Sequence, residues 1–188
     1  MLLVGLCVSC SGAGRDAGSA MTTTTLTRPK DVTTTTVPRG GVAVGDSVLD
    51  DVKLYAPTTL TSHDISIDAA VGRQWKVGIS ILTALRAAGQ LPPIVIVALG
   101  SNGRITAALF DQMMQACAGA KRVVFMTVTG PLIANNPIIR AGVARNPTAV
   151  LADWNILAAH HPQWFAPDHV HLGPAGATAL GNLLASVS

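Results

Sequence analysis

Residues 41–188 predict an α/β fold, a three-layer α/β/α sandwich around a central, mainly parallel sheet. Three observations carry this reading. Residues 94–99 and 122–128 are largely apolar runs of strand length, which fits strands covered on both faces. Segments with helical apolar spacing separate the strand-like segments. The chain must then return by crossovers, and crossovers build parallel sheets. Finally, Ser47, Gly72 and Asn102 each fall just after a strand-like segment, and Asp168 and His171 precede the last helix. That rim is where open α/β sheets bind their ligands.

Each element has its own warrant. Residues 41–45 form a short apolar strand that ends at Gly45-Asp46-Ser47, and Asp46 and Asp50 are expected to cap and solvate the helix that follows. Residues 64–68 alternate Ile65 and Ile67 with polar neighbours, the period of a second strand. Residues 73–88 place Val77, Ile81, Leu82 and Leu85 at helical spacing, with Gly89 and Pro92 as stops. A third strand is expected at 94–99, a helix at 105–118, a fourth strand at 122–128, a helix at 138–144 and a fifth strand at 149–153. Pro174 suits the first turn of a closing helix over 174–187.

The chain has 188 residues, 49% hydrophobic and only 12% charged, enough for one domain with a buried core. The net charge of +3 is spread thinly; Lys121-Arg122 is the one adjacent basic pair. Nucleic-acid binding would want a basic stripe or an aromatic stacking platform, and the sequence has neither. Of the three cysteines, Cys117 alone lies in the domain, on an amphipathic helix where it reads as a buried apolar side chain. An intradomain disulfide and a cysteine metal site are both excluded.

The N-terminus divides into two further segments. Residues 1–20 open with an apolar run, Met1 to Val8, too short for the ~20 residues that span a bilayer. Three readings stay open: a weak export signal, the remnant of a membrane helix whose true start lies upstream, or a tail without function. Residues 21–40 carry two runs of four threonines, 22–25 and 33–36, beside Pro29 and Pro38. Such a segment cannot bury apolar surface and reads as an extended linker.

The chemistry concentrates in three places. Asp168 and His171, three residues apart, cannot face the same way on a regular strand, so they belong on a turn, which Pro167 and Gly173-Pro174 favour. There Asp168 can orient His171, and His171 can take a proton from Ser47, the arrangement of a nucleophilic triad. Asn102, in Gly100-Ser101-Asn102-Gly103, can offer its amide to an oxyanion or can cap the next helix. His160, His161, Asp168, His169 and His171 are crowded, but the triad explains them better than a metal site with defined ligand spacing. Arg73 reads as a substrate contact or a solvated helix start. Trp154, Trp164 and Phe165 read as core or as the lining of an acyl or sugar pocket.

These motifs resemble the SGNH (GDSL-like) hydrolases, over roughly residues 41–188. The nearest likeness is to the SGNH domains appended to membrane acyltransferases that O-acetylate bacterial surface polysaccharides and peptidoglycan. Gly45-Asp46-Ser47 matches the family's first block, residues 68–74 its second, residues 98–103 its third, and residues 161–172 its last. The resemblance implies a flavodoxin-like sheet, a catalytic triad of Ser47, His171 and Asp168, and an oxyanion hole from the backbone N–H groups of Ser47 and Gly72 and the Asn102 amide. It implies a serine esterase or O-acyltransferase that needs no cofactor or metal and acts on acyl esters, with acetyl esters of envelope carbohydrate as the expected class. The partners it implies are an acyl-ester or polysaccharide substrate and a membrane acyltransferase domain; the location is exported, envelope or extracellular, with a membrane tether as one form. The other reading of this fold is a non-catalytic carbohydrate- or wall-binding module, against which the four retained polar residues argue. His169 stands where the family commonly has Gly, Gly173 where it has a Ser or Thr cap, and Gly103 where many relatives have Asp. Deleting the residues before about Pro38 is expected to leave the melting temperature and esterase turnover nearly unchanged. A large drop in melting temperature on truncation would show that the tail packs on the domain.

Overall fold

The computed structural model describes residues 40–188. The expectations for residues 1–20 and for the linker up to residue 39 lie outside the described residues. Five parallel strands form one sheet: β1 (Gly41–Gly45), β2 (Ile65–Ala69), β3 (Ile94–Ala98), β4 (Arg122–Met126) and β5 (Ala149–Ala152), in the order β2-β1-β3-β4-β5. This is the flavodoxin-like order, in which the chain changes direction of winding between β1 and β3.

The strands alternate their side chains between two cores, as their period demands. Ala43, Ile96, Ala98, Val124 and Met126 face one side, where α1 (Ser47–Tyr55), α2 (Thr58–Thr61) and the closing α7 (Pro174–Ser186) cover them. Val42, Val44, Val95, Val97, Val123 and Phe125 face the other, under α3 (Trp75–Ala87), α4 (Ala107–Ala116) and α5 (Asn136–Ala144). In the second core Trp75, Phe110 and Phe125 pack as one aromatic cluster, with 4.5 Å between the Phe110 and Phe125 centroids. Cys117 ends α4 and is buried there; burial pushes its thiol up to about 12, so it is an inert apolar group, as its helix position suggests.

The element boundaries depart from the sequence in instructive ways. α3 begins at Trp75 rather than Arg73, because Gln74 keeps an extended backbone as its N-cap. Asp153 is not the end of β5. It caps the five-residue α6 (Trp154–Ala158), a helix too short to show apolar periodicity. α2 and the 3-10 turns Gly130–Asn135 and Pro162–Trp164 escape the sequence for the same reason.

Candidate active site

β1 delivers Ser47 to the rim of the sheet. Asp46, the N-cap of α1, accepts the Val48 N–H at 3.1 Å through Oδ1. Ser47 is therefore the first residue of α1 and not its cap. The first helical N–H groups have no partner within the helix, and they set a positive partial charge beside the hydroxyl. Asp46 also does something its sequence position does not announce. It is fully buried rather than solvated, and its Oδ2 accepts the Ser101 N–H at 3.1 Å. One carboxylate thus ties the turn carrying Ser47 to the turn carrying Asn102, across the β1/β3 switch point. Burial pushes this carboxyl above its ordinary value, and the N–H groups of Ser101 and Val48 oppose the shift.

Asp168 and His171 lie on the turn that Pro167 and Gly173-Pro174 favour. An antiparallel bridge between Phe165 and Leu172 closes the loop at its base. The Ala166 N–H donates to the His171 carbonyl at 2.8 Å, and the Gly173 N–H to the Trp164 carbonyl at 2.9 Å. Asp168 Oδ1 accepts the N–H groups of Val170 and His171 at 2.9 and 3.0 Å, which leaves Oδ2 aimed at His171 Nδ1, 2.6 Å away. On the other side of the ring, Nε2 lies 3.0 Å from Ser47 Oγ. The three side chains form one hydrogen-bonded chain. His171 holds Asp168 down to about 2, helped by the Val170 and His171 N–H groups, and Asp168 in turn raises the imidazole above its ordinary value.

His169 in the same loop has φ +57, the left-handed region that glycine enters freely and other residues enter at a cost of about 1 kcal/mol. The glycine common at this place in the resembling family has its physical reason there. Gly72 likewise has φ +72, and it lies at the edge of a cleft of about 370 Å³. Ser47, Asn102, Asp168 and His171 share that cleft, with Val71, Pro131, Leu132 and Val170 as its apolar wall. The five residues expected to form the triad and the oxyanion hole all line this cleft, whereas Arg73, Trp154, Trp164 and Phe165 do not.

Asn102 is the informative member. Its Nδ2 is buried without a hydrogen-bond partner among the described residues. It lies near enough to Asp46 to favour the charged carboxylate, yet makes no bond of full geometry to it. The cap of α4 is Thr106, whose Oγ1 accepts the Leu109 N–H at 3.2 Å, so the capping alternative for Asn102 falls away. A buried donor without an acceptor is costly, and it is found where a ligand group completes it.

Three supporting residues were not legible in the sequence. Asn135 donates to the carbonyls of Gly100 and Gly103, both at 2.9 Å, and accepts the Ile105 N–H at 3.0 Å, so it fixes the Asn102 loop from below. Asn136 makes a two-way bond with the backbone of Val128, 2.8 Å each way. Asp51, one turn after Ser47 on α1, accepts the Leu172 N–H at 2.8 Å and anchors the His171 loop to the helix that carries Ser47. Nothing local in the sequence singles out Asn135, Asn136 or Asp51; only the tertiary fold shows what they hold.

Two side chains with open roles find structural ones. Arg73 donates to Asp68 through both guanidinium nitrogens, to the carbonyl at 2.5 Å and to Oδ1 at 2.7 Å, so it braces the end of β2. Trp154 is fully buried and stacks on Trp164 at 5.7 Å, in the core behind the His171 loop. Trp164 also carries His161 on its face at 3.8 Å. Among the described residues, no three His, Cys, Asp or Glu side chains gather as a metal ligand set.

This fold is that of the SGNH (GDSL-like) hydrolases. A GDSL-like lipase from Bacteroides thetaiotaomicron superposes with a TM-score of 0.56 at 14% identity, covering 79% of this chain and 84% of that one. The C-terminal catalytic domain of Streptococcus pneumoniae peptidoglycan O-acetyltransferase A, solved with a methylsulfonyl adduct, superposes with a TM-score of 0.72 at 23% identity, over 81% of this chain and 93% of that domain. By sequence the chain is similar to O-acetyltransferases: the Listeria monocytogenes peptidoglycan O-acetyltransferase OatA is 31% identical over 161 residues, 85% of this chain. The match covers 25% of the Listeria protein, so the chain spans about a quarter of the length of such relatives. No protein-family model matches the chain.

Proposed function

We propose that this chain is an SGNH-type serine esterase or O-acetyltransferase acting on acyl esters of envelope carbohydrate. The observation that carries it is the unbroken chain Asp168–His171–Ser47 at the mouth of a cleft that also holds the unpartnered Asn102 amide. Ser47 Oγ attacks the ester carbonyl while His171 Nε2 takes its proton. The C–O bond of the leaving alcohol then breaks, and His171 returns the proton to that alcohol. An acyl-Ser47 remains. Water or a sugar hydroxyl attacks it with His171 again as base, giving the free acid or a new ester and restoring Ser47. The oxyanion formed twice on this path is held by the N–H groups of Ser47 and Gly72 and by Asn102.

Peptidoglycan or a related envelope polysaccharide as substrate, and with it an envelope location, is supported by the names of relatives such as the Listeria peptidoglycan O-acetyltransferase. A membrane acyltransferase domain that supplies acyl groups fits the length of those relatives beyond the matched quarter. Among the described residues no helix is long and apolar enough to cross a membrane.

The reading is tested by turnover of a simple aryl acetate together with intact-mass measurement after a serine-directed sulfonyl fluoride. One adduct on Ser47 is expected; an adduct on another residue would overturn the nucleophile.

The pH profile gives an independent check. His171 must be neutral to act as base, and Asp168 raises its pKa above the ordinary 6.5. The acid limb of kcat/KM is therefore expected above 6.5, and Asp168→Asn should move it down as well as lower the rate. For stability, the raised His171 contributes below 6.5 and loses its contribution as pH rises through its folded value. The lowered Asp168 contributes above 3.8 and loses it as pH falls toward about 2. Both side chains are about half exposed, so solvent screening keeps that stability effect small. An acid limb at or below 6.5, unmoved by Asp168→Asn, would separate the two residues.

A further inference from the structure

We infer that a second cleft, lined by Gln74, Trp75, Lys76, Asn102, Gly103 and Arg104, is an anion-binding subsite. Through it the site selects acyl esters of acidic saccharides, those bearing a carboxylate or phosphate close to the ester. The inference rests on Ser47 as the ester nucleophile and adds the chemistry of the substrate around that ester.

The cleft encloses about 280 Å³, and it shares Asn102 with the cleft of Ser47 and His171. A substrate whose carbonyl oxygen meets the Asn102 amide is therefore held at a residue that lines both clefts. The two differ in charge. The Ser47 cleft contains Asp168, which is ionised far below neutral pH, and its wall is apolar. The second cleft has no acidic side chain in its lining and has two cationic ones, Lys76 and Arg104. Neither cation is engaged in an ion pair or a side-chain hydrogen bond among the described residues, whereas Arg73, Arg140 and Arg145 are each paired with an aspartate.

The backbone adds to this. Gln74, Trp75 and Lys76 are the cap and first two residues of the thirteen-residue α3, and no side chain caps that helix. Its positive end therefore lies in the cleft wall, as at many sites for oxyanions. The wall is also rigid, because the Trp75 indole N–H donates to the Leu109 carbonyl at 3.0 Å and pins α3 to α4. A guanidinium fork and an ammonium over an uncapped helix start suit an anionic oxygen group, and a neutral glycan would leave both cations unused.

The test uses the full chain. In a Ser47→Ala background, calorimetric titration compares three oligosaccharides of equal length: one with a uronic carboxylate, one with a phosphate, one neutral. At least one acidic sugar is expected to bind more tightly than the neutral one, and which of the two does so identifies the source of the anion. Lys76→Gln with Arg104→Gln should then weaken acidic-sugar binding about tenfold, a few-fold for each half-exposed ion pair. Arg86→Gln with Lys121→Gln removes the same charge at the far end of α3 and the start of β4, and should weaken it far less. Equal weakening by both pairs, or no preference for an acidic sugar, overturns the subsite. In the active chain, the ratio of kcat/KM for an acetylated acidic sugar to that for an aryl acetate should fall through KM in the Lys76/Arg104 variant. Binding is read without turnover, so loss of the subsite is distinguishable from loss of the esterase reading, which aryl acetate turnover and the Ser47 adduct decide.

Discussion

Replacing Ser47 with alanine is expected to lower kcat by on the order of 10⁵ while leaving the fold intact. Stability should change little, by under about 1 kcal/mol, because alanine is the best helix former at an early helical position. The cap of α1 is Asp46, so the variant keeps it. What the variant loses is the oxygen 3.0 Å from His171 Nε2. His171→Ala should cost a similar factor, since without the base Ser47 stays protonated. The two effects should not add. Removing one member of a unit leaves the other nothing to act with, so Ser47→Ala with His171→Ala should be no slower than either alone. Turnover of an aryl acetate by the three variants, with melting temperatures alongside, measures this. Near-normal turnover by Ser47→Ala would mean that another residue is the nucleophile, whereas no turnover by the unsubstituted chain would favour a binding module on the same fold.

The five strands were legible in the sequence because each carries a local signal. The buried strands β3 and β4 are apolar on both faces, and β2 alternates. The proposed triad was legible for a different reason: its residue types are rare in combination, and the α/β rule puts strand ends on one rim. What stayed hidden is whatever depends on one loop meeting another. Asp46 reads as a cap, and it is one; its second oxygen bridges 55 residues to Ser101, which no local pattern encodes. Asn135 holds the Asn102 loop from a 3-10 turn too short to be periodic. Arg73 could have met substrate or solvent, and its pairing with Asp68 depends on the turn at Gly72 doubling the chain back. Sequence marks the groups proposed to react. The groups that hold them still are chosen by tertiary contact.

Asn102 allows the sharpest separation of chemistry from architecture. Its amide donor is buried and makes no hydrogen bond of full geometry among the described residues, so it contributes little to the stability of the resting fold. Its contribution arises when an oxyanion forms. Asn102→Ala is therefore expected to cost ~10²–10³ in kcat, the usual effect of losing one oxyanion donor, with little change in melting temperature. The cap of α4 survives this substitution because Thr106 provides it. Asn102→Asp keeps the shape and reverses the sign. The new carboxyl would sit beside buried Asp46 and face the developing negative charge, and like charges at short range disfavour ionisation of both. Its kcat should fall at least as far as that of the alanine variant, and most at high pH, where the new carboxylate is ionised. Comparing kcat and melting temperature for the two variants across pH measures this. Near-normal turnover by Asn102→Asp would mean that the oxyanion is held elsewhere, and the backbone N–H groups of Ser47 and Gly72 would then have to hold it alone.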